Sequence, residues 1–422
     1  MIAYYVVCIA GILLCILTLK LPKVYKANFA LSILSVIAGG YLIEIYLFYF
    51  APQPDLFYLH AQAAESANVP FDDRTRYQVF EDLRRENVQV YPGMNVSQIA
   101  GLKGIEVSGE PLLPLAGISE VLTIHCNESG EYTFYVADKN GFNNSSELYP
   151  KSDIVLVGDS FAHGNCVLAG EDIAGQLRKR QIKAINLGYS GNGPLIELAT
   201  LREYAAPLKP KIVLWLYYEG NDLEDLLVEA QSPPFRAYLQ RDFSQHLLNR
   251  QHEINQALIE YIEKRAEELE EKDLRDAGVF DTQIARIARF QQVRQRFKFL
   301  SPSRQSPTPP LPLFEEILQE ARDLTISMDG KFYFVYLPGW SRYAAEANED
   351  DLFYRDQVLA IVRSLDIPVI DMHEIFVQHP DPLSLFPFRI EGHYTAEGYE
   401  LVASTIHSYL NLSLGDAGDW NR

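Results

Sequence analysis

"IVLVGDSFAHG", Ile154 to Gly164, is the stretch on which the fold turns. Four apolar residues with the character of a buried strand run directly into Gly-Asp-Ser. In an open parallel sheet, ligands sit outside the carboxyl ends of the strands. Ser160 falls just past such an end, where the next segment begins with N–H groups that lack an intrahelical acceptor and favour an anion. Gly158 lets the chain bend there without a Cβ. A serine at this place is either a helix N-cap, a role the residue favours, or a nucleophile.

Outward from this turn, the chain alternates strand and helix. "IVLVG" leads to a helix near Asp172–Arg180, "AINLG" to a helix near Leu195–Ala206, and "IVLWLYY" follows. The late strands are "KFYFVYLP" and "IPVIDM", with the helix "EDDLFYRDQVLAIVRSL" between them and a closing helix over about Ala396–Leu410. Apolar strands alternating with helices imply an α/β fold with a parallel sheet covered on both faces.

Three further pieces accompany the serine. The second strand ends in "NLGYSGNG", the third in "YYEGND", and "EGHYTAEGY" places His393 in a polar loop before the last helix. Together they offer a hydroxyl, backbone N–H donors, a side-chain amide and an imidazole. Acyl transfer needs that set: an activated nucleophile, a base, and donors for the developing oxyanion.

These four blocks, in this order, resemble the SGNH hydrolases, also called GDSL-like lipases and esterases. "GDSFAHG" resembles the first block, Ser190-Gly191 the second, Gly220–Asp222 the third and the His393 loop the last, over about Asp153–Leu410 apart from an insertion. The resemblance implies a flavodoxin-like sandwich. It also implies Ser160 as nucleophile, His393 as general base, and an oxyanion hole of the Ser160 N–H, the Gly191 N–H and the Asn221 amide. Many relatives carry an aspartate three residues before the histidine, where this chain has Ile390. Glu391, two residues before, points the same way as His393 in an extended loop and is the expected third member; the other reading is a Ser-His dyad. Asp159 and Asp222 are expected to support their turns through hydrogen bonds, His163 to be a rim residue or substrate contact, and His125 to be structural. Trp215, Trp340, Tyr217, Tyr218 and Tyr336 are either a sugar-stacking wall or core. Dinucleotide and Walker-type glycine loops are absent, and no Cys/His spacing suggests zinc, so neither cofactor nor metal is expected.

The flanking regions set the context. "MIAYYVVCIAGILLCILTL" is uncharged until Lys20 and "ANFALSILSVIAGGYLIEIYLFYF" carries Glu44 alone. Each is long enough to cross a bilayer, which takes about 20 residues. The expectation is a two-span anchor over 1–50. Lys20, Lys23 and Lys26 lie between the spans, so the positive-inside rule puts everything after Phe50 outside the cytoplasm, periplasmic in a Gram-negative host. Against Glu44 these lysines give the first fifty residues a net charge of +2, leaving −21 of the chain's −19 total on the rest. An acidic exported part disfavours nucleic acid as partner. Outside the cytoplasm Cys126 and Cys166 can form a disulfide, a pairing sequence leaves open; Cys8 and Cys15 fall in the first span.

Residues 51–150 read as a mixed extension, with helical spacing in "RTRYQVFEDLRRENV" and a hairpin in "EVLTIHCNESGEYTFYVADKNGFNN". The hydrolase-like domain over 151–422 is interrupted at about 232–312. There Leu247, Ile254, Leu258 and Tyr261 form one helical stripe. The insertion either packs on the sheet domain or serves as a lid, dimerisation arm or binding surface for a protein partner. By resemblance, the expected activity is an extracytoplasmic serine esterase acting on O-acyl, above all O-acetyl, groups of carbohydrate. The alternatives are an O-acyltransferase in exopolysaccharide modification and a catalytically inactive assembly scaffold.

Overall fold

The computed structural model describes residues 22–50, 56–95, 103–107, 109–276, 293, 309–344 and 349–414. The chain forms two compact units, Met1–Pro54 with Glu268–Pro307, and Asp55–Glu267 with Thr308–Arg422. In the first, one helix runs over Lys23–Phe50. Its stretch Lys23–Leu47 has a mean hydropathy of 1.8 and is long and apolar enough to cross a membrane. Such a helix near an N-terminus also fits a signal sequence. Glu44, buried on this helix, accepts the Val293 N–H at 2.7 Å, so its polar group is not left unsatisfied in an apolar setting. The helix starts earlier than the apolar run suggests, so Lys23 and Lys26 belong to its first turns rather than to a loop. The first apolar run, up to residue 21, lies outside the described residues.

In the second unit, a short helix over Leu56–Ser66 precedes the helix Arg76–Arg85. Thr75 starts the latter with a capping box: its hydroxyl accepts the Gln78 N–H, and the Gln78 side chain accepts the Thr75 N–H. Strands β1 (Val90–Pro92), β2 (Ile105–Val107) and β3 (Glu110–Leu112) follow, then the hairpin of β4 (Leu122–Ile124) and β5 (Phe134–Val136), antiparallel with Thr123 opposite Tyr135. Val79, Phe80, Leu112 and Ile124 of this extension share one apolar core with the main sheet, so residues 55–150 do not stand apart from the α/β part.

That sheet has five parallel strands: β6 (Ile154–Gly158), β7 (Ala184–Asn186), β8 (Ile212–Tyr218), β9 (Lys331–Leu337) and β10 (Val369–Asp371). Their order is β10-β9-β8-β6-β7. Counted along the sheet this is the 2-1-3-4-5 order of flavodoxin-like folds, whose direction reverses between β6 and β8. The alternation of side chains builds two cores. Val155, Val157, Val213, Trp215, Tyr217, Phe334 and Tyr336 face the layer that includes the extension. Ile154, Leu156, Leu214, Leu216, Val335 and Leu337 face the layer closed by the last helix, Ala396–Leu414. Both faces are covered, which is why these strands read as unbroken apolar runs.

The insertion spends its stripe inward. Leu247, Ile254 and Leu258 are buried in the first core, two of them on the helix Gln251–Asp276. This is the packing on the sheet domain expected of the insertion, with Tyr261 of the same stripe half-buried; a dimerisation arm, the alternative, would not have these three side chains to use.

Candidate active site

Strand β6 delivers Asp159 and Ser160 to the switch point. A Cβ on Gly158 would lie 2.7 Å from the Ala162 Cβ and 2.8 Å from the Leu216 carbonyl oxygen, so only glycine permits the turn to tuck under β8. Asp159, not Ser160, is the N-cap: its Oδ1 accepts the Phe161 N–H at 2.8 Å. The serine hydroxyl is thereby left for other work. It donates to His393 Nε2 at 2.8 Å, while Asp159 Oδ2 is farther, at 3.4 Å. The Phe161 ring stacks on Tyr218 at 3.8 Å between centroids and pins the turn to the end of β8.

The partner on the far side of the imidazole is Glu128. His393 Nδ1 donates to Glu128 Oε1 at 2.8 Å, and the His393 backbone N–H donates to Oε2 at 2.7 Å. Two bonds from one residue to one carboxylate fix both the ring and its tautomer. Gly392 makes the approach possible, since a Cβ there would lie 2.8 Å from Glu128 Oε2. The expectation for Glu391 is thus corrected: its side chain is exposed, and among the described residues it makes no hydrogen bond to His393. The loop at Gly392 turns the Glu391 carboxylate away while the hairpin turn supplies the acid.

That turn is well held. Asn127 Oδ1 accepts the Gly130 N–H at 2.8 Å and Asn127 Nδ2 donates to the Asp72 carbonyl at 3.0 Å. Cys126 is disulfide-bonded to Cys166, with Cα atoms 5.0 Å apart. The bridge ties the Glu128 turn to the loop that follows Ser160. Sequence reasoning marked this turn and this cysteine pair separately; joined, they were the one available signal that residue 128 lies near the serine.

Electrostatics follow from burial and pairing. Burial opposes a charge on His393, but the charge and hydrogen bond of Glu128, with Asp159 behind, outweigh it and raise its pKa above the ordinary value. Burial likewise pushes Glu128 up, and the His393 charge and bonds more than reverse it, leaving the carboxyl below its usual range. His163 is pushed down to about 3, first by burial and then by the His393 charge. It is not a rim residue: its ring is buried, stacks on Tyr189 at 4.7 Å, and its Nδ1 lies 3.0 Å from Ser190 Oγ. His125 is buried against Asn165, whose Oδ1 also accepts from Ser190 Oγ at 2.7 Å.

The expected oxyanion donors stand at three adjacent strand ends. Among the described residues the N–H groups of Ser160 and Gly191 have no protein acceptor. Asn221 stands just before the helix Asp222–Glu229 without a side-chain capping bond, and its Nδ2 donates to Asp225 Oδ2 at 2.9 Å. The Asn221 amide also acts on Asp159, whose charged form it favours by a hydrogen bond. Asp222 Oδ2 accepts the Tyr218 N–H at 2.9 Å, which supports the loop. Glu229 accepts from Gly193 N–H at 2.6 Å and Leu195 N–H at 2.9 Å, holding the start of the helix Pro194–Thr200. Burial pushes Asp225 up to about 7 and Glu229 up to about 8.

The aromatic candidates divide. Trp215, Tyr217 and Tyr336 are core residues, which removes them from any sugar-stacking wall. Trp340 lies nearer the surface and donates its indole N–H to the Arg389 carbonyl at 3.0 Å. Ligand atoms of Glu128, Cys166 and His393 lie within 4.8 Å of one another. The Cys166 sulfur is bonded to Cys126, so the set offers no thiolate to a metal.

No protein-family model and no curated protein matches the chain. Solved structures do. A putative lipolytic protein of the G-D-S-L family from Desulfitobacterium hafniense is 14% identical, covering 60% of this chain and 97% of its own, with a TM-score of 0.33. A lipase/acylhydrolase from Enterococcus faecalis is 13% identical over 62% and 96%, at 0.36. An acetyl-xylooligosaccharide esterase mutant from a Geobacillus is 13% identical over 64% and 97%, at 0.35. Likeness at this level leaves the chemistry to the site's own atoms.

Proposed function

We propose that the protein is a membrane-tethered serine esterase of the SGNH type that removes O-acyl, above all O-acetyl, groups from carbohydrate. One observation carries the reading. The Ser160 hydroxyl, the His393 imidazole and the Glu128 carboxylate form an unbroken hydrogen-bonded line with both links at 2.8 Å. His393 takes the Ser160 proton as Oγ attacks the ester carbonyl, and Glu128 stabilises the imidazolium that forms. The N–H groups of Ser160 and Gly191 and the Asn221 side-chain amide receive the oxyanion. His393 then gives its proton to the leaving alkoxide, and water attacks the acyl-serine to release the acid and restore the hydroxyl.

The N-terminal helix supports tethering, and the basic residues at its start, Lys23 and Lys26 with Lys20 ahead of them, support an extracytoplasmic site with a second span preceding. A disulfide beside the site fits an oxidising compartment. The test uses the full-length protein in detergent, treated with a fluorophosphonate probe and with O-acetylated oligosaccharides. Labelling of wild type but not of Ser160→Ala, together with released acetate, is expected. A chain that stays unlabelled, or whose Ser160→Ala variant labels equally, is a scaffold and not an esterase.

A further inference from the structure

A cavity of about 690 Å³ opens beside Glu128, and His60, Arg76, Asn127, Tyr132 and Arg265 are among its lining residues. Its size falls within the range of about 300–1,000 Å³ typical of small-ligand sites. Arg76 is the first residue of the capped helix Arg76–Arg85, so its place is rigid. Its Nη1 donates to the Gly93 carbonyl at 2.6 Å. Among the described residues no carboxylate pairs with it; the acidic groups that bear on it are the phenols of Tyr132, Tyr189, Tyr77 and Tyr135. Phenols are neutral near pH 7. No hydrogen bond or ion pair joins Glu128 to it among the described residues; the bonds of that carboxylate run to His393.

Arg76 is half-buried in the wall of this cavity, and a guanidinium with no carboxylate partner there is open to one brought by a ligand. The chain's net charge of −19 makes a cavity wall carrying Arg76 and Arg265 beside Glu128 all the less a matter of composition. Arginine presents five N–H donors in a planar fork that matches a carboxylate with two parallel bonds.

We propose that Arg76 binds the carboxylate of an acidic sugar, so that the substrate is an O-acylated, uronate-type glycan whose ester group lies at Ser160 and whose acid group enters this cavity. The proposal rests on Ser160 being the esterase nucleophile. It explains why the cavity adjoins the site at Glu128: one residue forms a wall of the binding space and orients the base.

The experiment compares kcat/KM of the full-length protein in detergent on O-acetylated oligouronate and on an O-acetylated neutral oligosaccharide of equal length. An advantage of at least about tenfold for the uronate is expected. It should shrink as salt is raised from about 0.05 to 0.5 M, and Arg76→Gln should collapse the ratio while Arg76→Lys keeps part of it. Equal rates on the two glycans, or a ratio that Arg76→Gln leaves unchanged, overturn the proposal, as does a preference for a sulfated over a carboxylated substrate. If Arg76→Gln fails to fold, the wild-type ratio and its salt dependence decide alone. Binding of unacetylated oligouronate to Ser160→Ala, measured by calorimetry, separates the two claims. Arg76-dependent binding by a chain whose Ser160 resists the fluorophosphonate keeps the subsite and removes the esterase. Labelled Ser160 with no uronate advantage does the reverse.

Discussion

Glu128 is where a single side chain decides most. Replacing it with Gln removes the charge that raises the His393 pKa and admits the wrong tautomer. The expected result is a loss in kcat/KM of about 10³-fold or more, by analogy with other triads. The sign of the pH effect follows from the base having to be neutral. In wild type, activity rises with pH through a midpoint above about 6.5, the ordinary histidine value. In Glu128→Gln the residual activity should reach its plateau at lower pH. A profile whose midpoint does not move would show that Glu128 does not govern the base. Glu391→Gln, by contrast, should cost less than about threefold, because its carboxylate is exposed and unattached to the ring.

Among the elements, the hairpin turn and the loop after β6 act together only because Cys126 and Cys166 join them. The two cysteines are 40 residues apart in sequence, and closing a loop of that size is worth roughly 4 kcal/mol in the chain-entropy account. Cys126→Ser/Cys166→Ser should therefore lower the melting temperature. It should also lower kcat more than fluorophosphonate binding, since the loosened turn carries the acid and not the nucleophile. Full activity in the reduced or doubly substituted protein would show that Asn127 and its contacts suffice to place Glu128.

The buried acids shape the stability of the whole second unit. Asp225 and Glu229 hold their protons up to about pH 7 and 8 in the fold, against about 4 when unfolded. His393, with a raised pKa, works in the same direction. The folded state thus binds more protons than the unfolded one, and stability falls as pH rises through that window. His125 and His163 act oppositely, but their effect is nearly complete above about pH 6.5, where an unfolded histidine loses its proton. The melting temperature should drop between about pH 6.5 and 8.5, and Glu229→Gln should flatten the drop; a rise over that interval would contradict it. At the same scale, a reporter active only outside the cytoplasm, fused after Arg422, should be active. A silent fusion alongside a working cytoplasmic reporter would invert the proposed topology.

Local pattern determined a great deal by itself. Strands β6 to β10, the helices after β6, β7 and β9 and the turns bearing Ser160, Gly191, Asn221 and His393 are legible because each depends on residues close in sequence: apolar runs, glycines and capping side chains. Ile254 and Leu258 are legible for the same reason, as neighbours on one helical face, whereas Leu247, read onto the same stripe, lies in a separate short turn before that helix. The helices Asp222–Glu229 and Leu311–Ser327 between β8 and β9 are not part of that reading. What only tertiary structure decided is which carboxylate meets His393, whether Cys126 and Cys166 join, and that Trp215, Tyr217 and Tyr336 are core. Glu128 and His393 are 265 residues apart, and no spacing rule spans such a distance. Their meeting is set by how a hairpin outside the main sheet packs against the rim of that sheet, a property of the folded surface that no single segment carries.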